Sequence, residues 1–195
     1  MIENFLKQRH KTEELLMRLW NSGDPKMGQV KVDIQKDLEF LFNNDPSAQS
    51  IEDIYSYTSA FAVAAYRIAH IQTDWHLARQ ITEYAKSLTG VDIHPKAVIG
   101  VPFAIDHGVG TVIGETAVIG KNSMLYHGVT LGALHLKERE QVGKVRHPKI
   151  GDNVIIYSNT TILGNLIIPD GMIIGANKFI KRQTEINELI RRAEQ

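Results

Sequence analysis

Cysteine is absent from the 195-residue sequence. That single absence excludes disulfides, thiolate metal sites and a cysteine nucleophile together. Neither sign of charge dominates, with 22 Lys plus Arg against 22 Asp plus Glu. Such a balance leaves no electrostatic footprint for nucleic acid and nothing basic enough to seek an anionic membrane surface. No apolar run approaches the ~20 residues that span a bilayer. The N-terminal stretch MIENFLKQRHKTEELL is amphipathic and charged throughout, which is not the pattern of a signal peptide. A soluble cytoplasmic protein is expected, with no nucleic-acid and no membrane partner. The length allows one large domain or two small ones.

What is present falls into two periods. Up to about Leu88 the apolar residues recur at helical spacing: Ile34, Leu38, Leu41 and Phe42 follow i, i+4, i+7, i+8. Ile51, Ile54, Tyr55, Phe61, Ala62, Ala65 and Ile68 make a longer stripe that lapses at Thr58. Leu77, Ile81, Tyr84, Ala85 and Leu88 make another. Turn-forming residues lie at Gly23 to Pro25 and Asn44 to Pro46, and Thr73 is suited to cap a helix starting near Asp74. The pattern predicts four helices near 2–20, 27–43, 49–71 and 74–88, forming an α-helical domain over 1–89.

After Gly90 the period becomes six. Ile93, Ile99 and Ile105 are followed by Ile113, Ile119, Leu125 and Leu131, and after a gap by Ile150, Ile156, Ile162, Ile168, Ile174 and Ile180. A six-residue step rotates an α-helix by about 600°, so these residues could not share one helical face. In a parallel β-helix each hexad is one short strand and its corner, and the repeated aliphatics stack coil on coil. The fold class is therefore α+β, with a β-helix over 90–182. The segment 183–195 reads as a short C-terminal helix, with Thr184 as N-cap, Glu185 in the first turn and Arg191-Arg192 in the last.

The repeat loses register twice. From Ile105 to Ile113 the step is eight, the extra residues falling in Asp106-His107-Gly108-Val109-Gly110. From Leu131 to Ile150 the step is 19, and the hexad positions between them hold Lys137 and Gly143, which cannot serve as rungs. Residues 132–149 are expected to form a charged loop protruding from the prism. A long loop on a regular scaffold is either functional or tolerated. Each break carries a histidine, His107 and His147, which makes the two breaks the candidate active site.

The motifs at these positions resemble a known family. Asp92-Ile93-His94-Pro95, Asp106-His107, Gly114-Glu115-Thr116-Ala117, Gly128-Val129-Thr130-Leu131-Gly132 and Arg146-His147-Pro148-Lys149-Ile150 occur in the order and nearly the spacing of serine O-acetyltransferases. The resemblance covers about Asp45 to Ile180, including Ala65-Tyr66-Arg67-Ile68 on the third predicted helix. It implies a left-handed β-helix, trimers formed through the prisms and pairing of trimers through the helical domains. It implies transfer of acetyl from acetyl-CoA to the hydroxyl of L-serine, without a metal, for cysteine biosynthesis. By the resemblance His107 is the catalytic base and Asp92 the carboxylate that orients it. Asp45, Asp106, Arg146 and His147 surround the amino acid, and the backbone at Gly132, Ser158 and Ala176 holds the pantetheine arm.

The chemistry suits these side chains. A serine hydroxyl must lose its proton as it attacks a thioester, and neutral imidazole, with an ordinary pKa near ~6.5, is suited to accept it. A carboxylate on the other ring nitrogen fixes the tautomer. Without cysteine, direct transfer is simpler than an acyl-enzyme route, and the tetrahedral intermediate needs a donor at its oxyanion, for which His147 or a loop amide is a candidate. Serine's ammonium and carboxylate call for an anion and a cation, which Asp106 and Arg146 supply.

Plainer readings apply to several residues. Asp92 lies 15 residues before His107, whereas one coil is 18, so spacing alone does not stack them and Asp92 could instead cap the first coil. His94 before Pro95, and His10, His70 and His76 in helices, are expected to be structural. His127 is expected in packing or a trimer contact, His135 in solvent, and Lys137 to Glu140 on a solvated face. The family's proline- and glycine-containing tail is replaced by KRQTEINELIRRAEQ, which puts docking to O-acetylserine sulfhydrylase in doubt and leaves Lys178, Lys181 and Arg182 as candidates for the CoA phosphates. Ala133 replaces a common second glycine. Rival functions are O-acetylation of another hydroxylated acceptor, a metal hydratase resembling gamma-class carbonic anhydrases built on His107, His127 and His147, and a non-catalytic scaffold.

Overall fold

The computed structural model describes the backbone of residues 2–134 and 144–193 and the side chains of residues 11–134 and 144–192. Residues 135–143, with His135 and Lys137 to Glu140, lie outside the described residues, as does the His10 side chain. Five helices come first: α1 (Ile2–Trp20), α2 (Pro25–Asn44), α3 (Ile51–Tyr55), α4 (Thr58–His70) and α5 (Trp75–Thr89). The predicted helix over 49–71 is two helices. The Ser56 hydroxyl donates to the Asp53 carbonyl, competing with the helical ladder, and Tyr57 then turns to extended geometry. Asp74, and not Thr73, caps α5, its Oδ1 accepting the His76 N–H at 2.9 Å. Gly90, at φ 71°, ends that helix in the left-handed conformation that glycine adopts without cost. Among the described residues no helix is long and apolar enough to cross a membrane.

Among the described residues thirteen short parallel strands follow, on the three faces of a left-handed prism. The first face carries β1 (Asp92–Ile93), β4 (Val112–Ile113), β7 (Thr130–Gly132), β10 (Thr161–Leu163) and β13 (Phe179–Ile180). The second carries β2 (Val98–Ile99), β5 (Val118–Ile119), β8 (Lys149–Ile150) and β11 (Ile167–Ile168). The third carries β3 (Phe103–Asp106), β6 (Ser123–Tyr126), β9 (Ile155–Ile156) and β12 (Ile173–Ile174). Every rung read from the sequence points inward, none more than 6 % exposed. Ile93, Ile113, Leu131, Ile162 and Ile180 stack in register on the first face. Burying each such side chain contributes about 1.5–3 kcal/mol. Leu131 and Ile150, 19 residues apart, occupy consecutive rungs on the first and second faces, so no coil is lost between them.

Both ends of this stack are closed by side chains. At the first coil Tyr66 donates to the Ala97 carbonyl at 2.7 Å, and Arg67 donates to the carbonyls of Ile99 at 2.6 Å and Gly100 at 2.7 Å. Asp37, paired with Arg67 at 2.9 Å, accepts the Phe103 N–H at 2.8 Å. At the last coil α6 (Gln183–Ala193) buries Ile186 against the final rungs. The Gln183 amide bonds both the N–H and the carbonyl of Ile167 at 2.9 Å. The helix begins one residue before Thr184, and its first turn is capped by Glu185, which accepts the N–H groups of Lys181 and Arg182.

Candidate active site

The prism places the candidate residues on two different edges. One edge joins the third face to the first and is built from the segments after β3, β6, β9 and β12. The other joins the first face to the second and includes the described residues after β1, β4, β7 and β10.

On the first of these edges the two extra residues form a tight turn. His107 is left-handed at φ 60°, Gly108 follows at φ 87°, and the Gly108 N–H donates to the Asp106 carbonyl at 2.7 Å. Left-handed backbone costs a histidine roughly 1–2 kcal/mol. The turn throws the imidazole outward, where it is 73 % exposed. Asp106 Oδ1 lies 3.7 Å from its Nδ1. A cleft of 680 Å³ opens in front, lined by Asp45, Ser47, Tyr57, Asp106, His107 and Tyr126 among others. Asp45, assigned by the resemblance, therefore lines the same cleft as Asp106 and His107. Its Oδ1 accepts the Ser47 hydroxyl at 2.6 Å and amide at 2.8 Å, and its Oδ2 accepts the Tyr57 hydroxyl at 2.8 Å. The Ser47 bonds and then that of Tyr57 hold the Asp45 carboxyl below its ordinary range, fixing an anion in the cleft.

Asp92 is not delivered to the His107 ring within this chain. It stands at the start of β1, at the beginning of the same coil, and its Oδ2 accepts the Lys86 ammonium at 2.5 Å. The capture follows from chain order, because Lys86 lies in the last turn of α5, just before the first strand. One coil above His107 its ring neighbours that of His127, with centroids 5.7 Å apart. His127 Nδ1 is buried and has no hydrogen-bond partner among the described residues. Ser158 and Ala176 continue up this same edge, the Ser158 carbonyl accepting the Asn177 N–H. Lys178 is exposed there, while Arg182 is engaged by Glu185 at 2.8 Å and Lys181 lies over the Phe179 ring at 5.8 Å.

The other edge carries Gly132, Arg146 and His147. Arg146 forms an ion pair with Glu115, which Lys96 also approaches at 3.3 Å. Burial of Glu115 is outweighed by these two cations, so its carboxyl titrates below the usual range. Arg146 Nη1 remains buried and unpartnered among the described residues, an exception of the kind that marks a ligand contact. His147 is 6 % exposed, and burial, followed by the Arg146 charge, lowers its pKa. Its Nδ1 contacts the Thr116 hydroxyl at 2.8 Å and the Thr116 N–H at 3.1 Å. On the same edge burial drops His94 to about 4, and its Nδ1 accepts the Lys96 N–H. That is a structural part, as is that of His70, which bonds the Pro95 carbonyl at 2.8 Å.

The structure thus joins Asp45, Asp106 and His107 and sets Arg146 and His147 apart from them. Sequence reasoning assigned no part to Tyr57, Glu115 or Thr116. The last two sat inside a quoted motif but gave no signal of whom they would touch.

Comparison with known proteins bears on the family of the chain. No family model matches the chain. It is 40 % identical over 174 residues to a plasmid-encoded serine acetyltransferase of Synechococcus elongatus, covering 85 % of this chain and 54 % of that protein. It is 44 % identical over 151 residues to the serine acetyltransferase of Staphylococcus aureus, covering 75 % and 68 %. Similar solved structures include serine acetyltransferase isoform 3 of Entamoeba histolytica in complex with cysteine, with TM-score 0.73 and 39 % identity over 80 % of this chain and 56 % of that one. The soybean serine acetyltransferase complexed with serine has TM-score 0.74 and 34 % identity over 87 % and 70 %. A serine acetyltransferase complex with CoA has TM-score 0.73 and 28 % identity over 87 % and 68 %. The chain spans little more than half of the first relative's length. By identity and coverage, the chain belongs to the serine acetyltransferase family.

Proposed function

We propose that this chain transfers the acetyl group of acetyl-CoA to the hydroxyl of L-serine, giving O-acetylserine for cysteine biosynthesis in the cytoplasm. The observation that carries this reading is the convergence of one exposed imidazole and two carboxylates on a single cleft. The two carboxylates suit the ammonium end of a small hydroxylated amino acid. His107 takes the serine hydroxyl proton as the oxygen attacks the thioester carbonyl. The C–S bond breaks as the tetrahedral intermediate collapses, and the imidazolium returns the proton to the CoA thiolate. Asp45 and Asp106 face the serine ammonium, and Arg146 Nη1 receives its carboxylate. Asp92 orients His107 by exchanging the Lys86 ammonium for the ring as substrates fill the site. The pantetheine arm runs along Ser158 and Ala176, with Gly132 on its other side.

One chain holds the two halves of this proposed site on separate edges, which supports a site completed by a second copy. We place it in a homotrimer, or a dimer of trimers, in which the His107 edge of one prism faces the Arg146–His147 edge of the next. The test measures CoA release from acetyl-CoA with L-serine and with a panel of other hydroxylated acceptors. No preference for serine sinks the acceptor assignment. Co-expressed His107→Ala and Arg146→Ala chains should recover part of the activity that each lacks alone. No recovery in a mixed oligomer would overturn the shared site.

A further inference from the structure

His147 is held in a manner that decides which of its nitrogens carries the proton. The Thr116 hydroxyl oxygen accepts two backbone donors, the N–H of Arg146 at 2.9 Å and that of His147 at 3.1 Å. A hydroxyl has two acceptor lone pairs and one proton. Both lone pairs are spent, so its contact with His147 Nδ1 at 2.8 Å uses its proton. The Thr116 backbone N–H, 3.1 Å away, points at the same nitrogen. Two donors converge on Nδ1, which therefore carries no hydrogen, and in the neutral ring the proton sits on Nε2. Beneath the ring lies Gly114, where an added Cβ would come within 2.1 Å of both Cδ2 and Nε2. The floor is glycine because only a missing side chain lets the ring lie down. Glu115 and Arg146, the charged groups flanking the ring, are paired with one another.

We propose that Thr116 and Gly114 form a clamp that fixes His147 as an Nε2–H donor, so that it serves acetyl transfer by hydrogen-bonding a developing or resident negative charge and not as a second base. Thr116 is a positioning residue, acting through His147. The same hydroxyl ties the 146–147 backbone, so one side chain sets both the place of the imidazole and its tautomer. The inference deepens the acetyltransferase reading and rests on it for the charge that the donor meets.

The test reads the tautomer directly. Imidazole 15N chemical shifts are recorded on the intact protein at pH 8, with the His147 signals identified by their loss in His147→Gln. The expected spectrum has an unprotonated Nδ1 and a protonated Nε2. Protonated Nδ1 overturns the proposal. In Thr116→Val the ring should lose this single form, and kcat/KM should fall roughly 10- to 100-fold, as when the partner orienting a functional histidine is removed. The fall should appear in kcat, and Thr116→Ser should restore both readouts. Wild-type kinetics for Thr116→Val would sink the clamp. Should that variant not fold, Gly114→Ala decides, since it leaves Thr116 in place and lifts the ring. Full activity there also overturns the proposal. A wild-type chain that shows the Nε2–H tautomer yet no acetyl transfer refutes the reaction and leaves the clamp standing.

Discussion

The two edges of the prism hold their histidines in opposite ways. His107 stands in solvent on a strained turn, with one carboxylate 3.7 Å from its ring. His147 is buried, with its Nδ1 contacted by both the hydroxyl and the amide of Thr116. An exposed ring on a turn can take up a proton and release it to the leaving group. A clamped one can hold a hydrogen bond at a fixed point but is poorly placed to change charge. The contrast teaches that one coil geometry offers two uses of imidazole, set by the corner and not by the residue.

Four substitutions or conditions would break or sharpen this contrast. The largest effect belongs to His107→Ala: acetyl transfer should fall ~10²-fold or more, as for loss of a general base, while the melting temperature stays within a degree or two. A matching loss of stability would show that the ring is structural. Arg146→Met should come next, reducing kcat/KM for serine by roughly 10- to 100-fold, since a hydrogen bond from a charged group is worth about 1.5–3 kcal/mol. An unchanged value for serine would remove Arg146 from the site. His147→Ala should do what His107→Ala does not and lower stability as well as rate. Leaving the Thr116 donors unpaired costs about 1–3 kcal/mol, or about 2–4 °C in melting temperature per kcal/mol for a chain of this size.

The smallest effect is on pH dependence. Buried His94 titrates at about 4 in the folded chain against 6.5 when free, and His147 is shifted the same way. Between these values the unfolded chain binds protons that the folded one excludes. Stability should therefore fall as pH drops from about 6.5 toward 4. His94→Gln should flatten denaturant midpoints measured across that window, and an undiminished slope would contradict the burial argument.

How much of this was legible from the residues depends on range. The rungs were readable because each repeats the same demand, an aliphatic facing the axis, at a fixed step. The breaks at Asp106–His107 and before Arg146–His147 were readable because a repeat shows its own interruptions. The Asp92–Lys86 pair was not, since it depends on where a helix end happens to meet the first strand. The division of the long helix at Ser56–Tyr57 was signalled only by one lapse in the apolar stripe, at Thr58. The Thr116 clamp was invisible because it joins residues 30 and 31 apart, and a threonine in the turn between β4 and β5 gives no sign of such a partner.

The closed ends of the stack carry a consequence for the chain outside its native state. A solenoid of parallel strands finishes in open backbone edges, each a template on which another polypeptide could add a strand. Arg67, Asp37 and Tyr66 occupy hydrogen-bonding positions along one such edge, and Gln183 fills the place of a further strand beside Ile167 on the other. Each of these side chains imitates a neighbouring strand without being one, so growth stops there. The price of losing either cap would be self-assembly: a chain whose helical domain opens, or whose α6 is lost, presents a ready-made seed for fibrous aggregation even while its central coils remain folded.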